Sequence, residues 1–286
     1  DIPFYRLLNH SSGITMVVTK DEFGPLSADP EATNTDVYAL VRDEPLDYQP
    51  GEFSRYRQSG YAVAEIVLQN KLGLTFSDAV DEMIGGPAGL TSTAHASSTD
   101  TTIAPILQSA GGYETTAEDM GRLLVALGTD AVVAPDQWKS TLLDEKYLFN
   151  DYSLGSVIEE TDGVLTVGHR GGGARANIRF APDQKVGAMV CTDDRSNNLL
   201  AISLARMLIA EMVSGETPPL PLRVALAGSD NMTGEEVIAA LQKAREAGDT
   251  YALSEAEALF NDIGYTFLAD DKVADAITVF QFNADS

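Results

Sequence analysis

Cysteine is almost absent: the 286 residues contain one, Cys191, so no intrachain disulfide forms. It lies in the apolar run 186–191, where a small thiol is expected to be buried and to pack as a hydrophobe. Basic residues are scarce as well, 19 Lys and Arg against 43 Asp and Glu, for a net charge of −24. Nucleic acid and anionic membrane surfaces are held by an excess of Lys and Arg, so both are excluded as partners. With three histidines (His10, His95, His169) and neither Cys-x-x-Cys nor His-Glu-x-x-His spacing, no zinc motif exists, and neither a metal nor another cofactor is expected. No apolar run reaches the roughly 18 residues of a membrane span. The start, Asp1 to Tyr5, has neither the charged nor the apolar part of a leader peptide, so the chain as it stands reads as soluble. It also lacks an initial Met, which predicts a removed leader or an internal piece of a longer protein.

What is present is a foldable chain. Apolar residues make up 44% and charged residues 22%, so the acidity belongs to a folded surface and does not mark a disordered chain. That surface serves solubility, or adaptation to salt, since only seven of the 19 basic residues are Lys. The length fits one large domain or two unequal ones. Three prolines in four positions (Pro218, Pro219, Pro221) interrupt the pattern and predict an extended linker over 214–222. The expected division is a main domain over 1–213 and a helical tail over 223–286.

In the main domain, helical spacing predicts helices over 59–72, closed by Gly73, and over 76–84, 116–127 and 197–213. The third opens with Thr116-Ala-Glu-Asp119, read as a capping box. Short apolar or alternating runs over 152–158, 164–169, 176–180 and 186–192, separated by Gly-rich or Pro-Asp turns, predict an antiparallel meander. In the tail, Thr233-Gly-Glu-Glu236 and Ser254-Glu-Ala-Glu257 each read as a box opening an amphipathic helix, with a third helix from Asp271 onward.

The residues alone offer one modest candidate site. His169 ends an apolar strand in Gly168-His-Arg-Gly-Gly-Gly173, where successive glycines leave backbone N–H groups beside a titratable ring, a pattern able to stabilise an oxyanion. A tight hairpin with a His at its strand end fits the same pattern. A phosphate loop does not, because the G-x-x-x-x-G-K-[ST] spacing is missing.

Five blocks in order then carry a resemblance: Leu7-Leu-Asn-His-Ser-Ser-Gly-Ile14, Gln49-Pro-Gly-Glu-Phe-Ser-Arg-Tyr-Arg-Gln-Ser-Gly-Tyr61, Gly86-Pro-Ala-Gly-Leu-Thr-Ser-Thr93, Gly111-Gly-Tyr-Glu-Thr-Thr-Ala-Glu-Asp119 and Gly168-His-Arg-Gly-Gly172. Over roughly 1–213 the chain resembles class C β-lactamases and penicillin-binding-protein-like esterases and peptidases. The resemblance implies an α/β (α+β) fold, an antiparallel sheet flanked by helices of the β-lactamase/transpeptidase type, with the C-terminal helices as a small appendage. It implies a serine hydrolase that cleaves an ester or peptide-like amide through an acyl-enzyme. Tyr56 matches the Tyr of the family's Tyr-x-Asn motif and would share proton transfer with the Lys of a Ser-x-x-Lys motif. A phenol with an ordinary pKa near ~10 serves as a base at neutral pH only beside cations that lower it. His169-Arg170-Gly171 matches the strand motif, so His169 would face substrate and the Gly172 N–H would be one oxyanion donor, the nucleophile's own N–H being the other. Gln58, Arg170, Gly171 and Arg175 are the expected substrate contacts. The family's habit also implies a secreted or periplasmic location. Residues 259–282 resemble a tetratricopeptide-type helix pair, which implies protein contact through the tail; a plain docking hairpin is the alternative.

Two departures shape the expectation. The residues three places before each Lys are Val17, Leu68, Asp136, Leu143, Pro182, Ala240 and Ala269, none of them Ser. The nucleophilic Ser and its Lys are therefore expected outside this chain, in a missing N-terminal segment or a separate chain, and the chain alone is expected to be inactive. Gln58 stands where the motif has Asn, one methylene longer with the same amide, which favours esterase or D-amino-acid peptidase action over true β-lactamase action. Arg175 replaces a frequent Gly and would favour an anionic substrate if it lines the site, or is simply solvated on a hairpin. The rival function is an inactive β-lactamase-like protein that keeps the cleft for ligands or protein partners. Structural readings go to His10 and Ser12 (a turn beside the catalytic helix), Gly111-Gly112 (close backbone approach at a loop bordering the pocket), Trp138 (a packing anchor) and His95 (an exposed loop).

Overall fold

The computed structural model describes residues 1–161, 163–171, 176–192 and 200–285. They divide into two compact units, Asp1–Val167 and Gly168–Ser286. The first contains helices α1 (Phe4–Leu8), α2 (Phe23–Ser27), α3 (Asn34–Ala39), α4 (Gln58–Leu72), α5 (Phe76–Val80), α6 (Gly86–Ala88), α7 (Ala117–Gly128) and α8 (Pro135–Gln137). Strands β1 (Ala94–His95) and β2 (Tyr113–Glu114) form a small antiparallel pair. Strands β3 (Leu148–Phe149), β4 (Tyr152–Ser153), β5 (Ser156–Thr161) and β6 (Val164–Arg170) follow one another as sheet neighbours, the last three residues of β6 belonging to the second unit. There β6 is followed by β7 (Ala176–Ala181) and β8 (Val186–Cys191), paired antiparallel from Ala176 opposite Cys191 to Ala181 opposite Val186. Helix α9 (Leu200–Ser214) packs on both strands. The C-terminal part comprises β9 (Leu220–Pro221), α10 (Leu222–Ala225), α11 (Gly234–Glu246), β10 (Tyr251–Ala252), α12 (Ala256–Ala269) and α13 (Val273–Asp285). This is the antiparallel α/β architecture with C-terminal helices that the resemblance implied.

Local chemistry explains most boundaries. Helix α4 ends at Gly73, whose φ of 70° lets its N–H return to the Gln69 carbonyl at 2.8 Å. The predicted box at Thr233 forms in full: the Glu236 carboxylate accepts from the Thr233 N–H at 2.7 Å, and the Thr233 hydroxyl accepts from the Glu236 N–H at 3.3 Å. At α7 only half of the expected box exists. The Thr116 hydroxyl accepts from the Asp119 N–H at 3.2 Å, but the Asp119 carboxylate turns inward. It accepts from the Thr91 N–H (3.0 Å), the Ser92 N–H (2.7 Å), the Thr93 hydroxyl (2.8 Å) and Arg122 (2.8 Å). The Gly86–Thr93 block and α7 are thus fastened by one buried carboxylate.

Several sequence expectations are corrected. The single strand over 152–158 is a two-residue hairpin: β4 and β5 pair Ser153 with Ser156 across Leu154 and Gly155, whose φ values are 39° and 92°. His95 is buried on β1, its Nδ1 2.7 Å from the Ser97 hydroxyl, because Gly112 on the facing segment leaves room that a Cβ would fill. Of the glycine pair, Gly112 makes the close approach, to the His95 ring, while Gly111 faces open space. Cys191, expected to be buried, is exposed at the end of β8. The stretch read as linker supplies β9, which pairs in parallel with β10. The α12 helix begins at Ala256 after a 3₁₀ turn over Leu253–Glu255, so Ser254 does not open it. Trp138 is buried, as a packing anchor should be.

Each unit has its own core. In the first, Leu7, Ile14, Val17, Val37 and Ala62 draw α1, α3 and α4 together. In the second, Leu222, Val237, Leu241, Phe260, Phe267 and Val279 fill the space among α10 to α13. The α1–α4 contact is tight because Gly60 faces the backbone of α1, and a Cβ there would lie 2.8 Å from the Leu7 carbonyl oxygen. Overpacking of this kind costs about 1–3 kcal/mol. Gly60→Ala is therefore expected to lower the urea midpoint by the equivalent of about 1–3 kcal/mol; an unchanged midpoint would show that α1 has room to retreat.

Candidate active site

In the first unit the candidate residues gather where the chain enters α4. The segment Asn9–Gly13 is a polar turn inside the fold, with Asn9, His10, Ser11 and Ser12 all buried. His10 sits in the left-handed region at φ 60°, which His tolerates better than most residues. Its ring is surrounded by three tyrosines, with centroid distances of 4.2 Å to Tyr56, 4.7 Å to Tyr152 and 5.2 Å to Tyr61. The three phenols differ in access. Burial pushes the Tyr61 hydroxyl up to about 12, a shift only partly opposed by its hydrogen bond with Tyr152, and burial raises Tyr152 strongly as well. Tyr61 also donates to the Leu8 carbonyl at 2.7 Å, so both inner phenols are structural. Tyr56 is half exposed, at 51%, and is the most exposed of the three.

Gln58 opens α4 two residues further on. Its Oε1 is buried and has no hydrogen-bond donor among the described residues. Arg57, between them, turns inward to an ion pair with Asp47 at 2.7 Å. One helical start thus exposes a phenol and holds an amide oxygen that lacks a partner among the described residues.

In the second unit, His169 and Arg170 end β6, and the Gly171 N–H donates to the Ala176 carbonyl at 2.8 Å, closing the approach to β7. His169 is half-buried and Arg170 exposed. Burial lowers the His169 imidazole from its ordinary value, and the charges of Arg170 and Arg179 add to the shift against an opposing backbone hydrogen bond at Arg170. Arg179 went unnoticed in the sequence. The alternation of β7 places it and Asn177 on one face, which reads as a polar exterior, yet both are buried. Gly172 and Arg175 lie outside the described residues. An open groove lined by Pro87, Gly121, Arg122 and Val125 contains none of the predicted site residues.

A family model described as Beta-lactamase matches residues 1–210, and the chain belongs to that family, one of serine hydrolases. No curated protein matches its sequence. Among solved structures, it is similar to a penicillin-binding protein from Bacillus halodurans, with 21% identity, a TM-score of 0.56, and 68% of this chain and 70% of that one covered. A D-stereospecific amidohydrolase from Streptomyces sp. is similar at 20% identity and a TM-score of 0.52, over 66% of each chain. The octameric penicillin-binding protein homologue from Pyrococcus abyssi has 19% identity and a TM-score of 0.56, over 73% of this chain and 56% of that one. These likenesses concern the fold. No helix among the described residues is long and apolar enough to cross a membrane.

The His169 shift has a measurable consequence. A folded pKa below the ordinary histidine value of 6.5 means that the unfolded chain takes up the proton first as the pH falls. His169 is thus expected to titrate below 6.5 by NMR and to contribute a loss of stability as the pH drops from 6.5 toward its folded pKa, with no contribution to pH dependence above that window. His169→Gln should remove that component of the acid-side slope; an identical slope in the variant would show that His169 is not perturbed.

Proposed function

We propose that this chain supplies one portion of the active site of a serine hydrolase that cleaves an ester or peptide-like amide through an acyl-enzyme. The observation that carries the reading is the start of α4, where the half-exposed Tyr56 phenol stands two residues from a buried Gln58 oxygen that has no donor among the described residues. Buried carbonyl oxygens are almost always paired, so a donor from outside the described residues fits there, an ammonium or a substrate amide N–H. The nucleophilic Ser and its Lys come from outside this chain. Two facts support that: no Lys in the 286 residues has a Ser three places before it, and among the described residues the apolar strand β8 ends the strand order, an edge of the kind proteins cover.

In this mechanism the Ser oxygen attacks the carbonyl carbon, and its proton passes toward Tyr56 and the Lys as the tetrahedral oxyanion forms. The Gly172 N–H and the nucleophile's own N–H hold that oxyanion. The carbon–leaving-group bond then breaks with return of the proton to the leaving oxygen or nitrogen, and water releases the acyl group by the same route in reverse. His169 faces the substrate as a neutral imidazole, and Gln58, Arg170, Gly171 and Arg175 contact it. Gln58 in place of Asn favours esterase or D-amino-acid peptidase action over β-lactamase action, a preference in keeping with the fold shared with a D-stereospecific amidohydrolase. The working location is the periplasm or the cell exterior.

Intact-mass spectrometry of the natural, full-length product after treatment with a fluorophosphonate, alongside turnover of a p-nitrophenyl ester, tests the reading. One covalent adduct on a Ser outside residues 1–286, with ester turnover that falls about 10²–10⁴-fold in Tyr56→Phe, is the expected result. A folded protein with neither adduct nor turnover would overturn it in favour of an inactive ligand-binding protein.

A further inference from the structure

We propose that His10 is a positioning residue for Tyr56, holding the phenol in place through the backbone on both sides of it; this rests on the reading of Tyr56 as the proton-transfer residue. The Arg57 N–H, directly after Tyr56, donates to His10 Nδ1 at 3.2 Å. The Arg55 N–H, directly before it, donates to the His10 carbonyl at 2.9 Å. That carbonyl also accepts from the Tyr48 hydroxyl at 3.1 Å. The His10 ring meanwhile lies against the Tyr56 ring, 4.2 Å between centroids and tilted by 43°. One buried residue therefore ties the N–H groups of both neighbours of Tyr56 and lies against its ring.

The arrangement defines the imidazole. A nitrogen that accepts a backbone N–H carries no proton, so His10 acts here as the neutral tautomer protonated on Nε2. It does not touch substrate in this scheme; it removes conformational freedom from a half-exposed aromatic side chain that would otherwise sample several rotamers. Misplacement of a reacting group by about 1 Å costs up to about a hundredfold in rate, so a residue acting only through position can still have a large effect on kcat. A His that served packing alone would carry ring contacts and no hydrogen bonds to the residues flanking Tyr56.

The test uses the natural, full-length protein with ring-labelled tyrosine, the Tyr56 resonances being identified by their loss in Tyr56→Phe. His10→Phe keeps an aromatic ring and removes the acceptor. His10→Asn restores an acceptor oxygen near the place of Nδ1 and tolerates the left-handed backbone. In His10→Phe the Tyr56 resonances are expected to move toward those of free tyrosine while those of Tyr265, in the other unit, stay fixed. Ester kcat is expected to fall about 10- to 100-fold with KM changed less than about twofold, and His10→Asn to recover most of the loss. Unmoved Tyr56 resonances in folded His10→Phe, or equal losses in the Phe and Asn variants, would overturn the proposal. Should His10→Phe fail to fold, Tyr48→Phe, which removes only the third tie, must shift the Tyr56 resonances in the same direction, and no shift overturns the idea. If the native protein shows no ester turnover, the hydrolase reading fails, and the Tyr56 resonances alone decide the role of His10.

Discussion

The first unit depends on the burial of a polar turn. Backbone N–H and C=O groups taken out of water must find partners, and the segment Asn9–Gly13 buries a run of them at once. The N–H groups of Asn9 and Ser11 return to the Tyr5 and Arg6 carbonyls, while four of the segment's own carbonyls are met from 47–57. The Gly13 carbonyl accepts from the Asp47 N–H (2.9 Å), that of Ser11 from the Gly51 N–H (2.8 Å), that of His10 from the Arg55 N–H (2.9 Å) and that of Asn9 from the Ser54 hydroxyl (3.3 Å). The side chains close on themselves and on the β3 approach, Ser11 donating to Asn9 Oδ1 at 2.6 Å and Asn9 to the Tyr147 carbonyl at 2.8 Å. Such a network is costly to break, because each lost partner leaves a buried group unsatisfied. The path from Asp47 to Arg57 is therefore dictated by the turn, and the start of α4, with Tyr56 and Gln58, is placed as a result.

Two buried carboxylates in the same unit show how the balance between hydrogen bonding and burial sets the state of an acid. Burial works against the Asp119 carboxylate, but N–H groups of Ser92 and Thr91, the Thr93 hydroxyl and Arg122 together outweigh it, and its pKa is held below the ordinary value. Glu65, on α4, has fewer donors: the Ser109 N–H reaches its Oε2 at 2.9 Å, and Ser109 and Asn34 side chains contribute, yet desolvation dominates and its pKa is raised. The signs follow from linkage. Asp119 adds stability that is fully present above the unfolded pKa of an aspartate and is lost as the pH falls through its lower folded value. Glu65 does the reverse: the folded state binds its proton first, so stability rises as the pH falls through its raised value toward that of an ordinary glutamate.

Much of the fold was legible because it rests on local patterns: the helical periodicity of α4 and α7, the αL glycine at Gly73, the full capping box at Thr233 and the strand runs from β6 to β8. The family blocks single out Tyr56, Gln58 and His169 as candidates from sequence alone. What the sequence hid was direction. Thr116-Ala-Glu-Asp119 has the spacing of a capping box, but long-range donors from 91–93 outcompete the local one for the carboxylate, and spacing says nothing about distant competitors. His95 stands in a polar run and reads as exposed; the pairing of β1 with β2 sets it opposite Tyr113 and brings Gly112 against its ring, where the missing Cβ leaves a niche. His10 reads as part of a turn, which it is, while its ties to both neighbours of Tyr56 come from residues more than forty positions away.

The scarcity of cations gives the specifically paired ones added meaning. With a net charge of −24, any cation could be neutralised loosely at the surface, yet Arg57, Arg122 and Arg223 each hold a specific carboxylate, Asp47, Asp119 and Asp262, at 2.7 to 2.8 Å. Guanidinium suits such places because it is weakly hydrated and presents a planar fork of donors, whereas an ammonium is a strongly hydrated point charge. The same distinction between local and global charge decides His169. A strongly acidic chain would favour the protonated imidazole at long range, but charges beyond about 8–10 Å are screened by physiological salt. Burial and the nearby Arg170 and Arg179 act inside that distance and in the opposite sense. His169 is therefore neutral at neutral pH despite the acidity of the whole, and it meets its surroundings as a hydrogen-bonding ring and not as a charge.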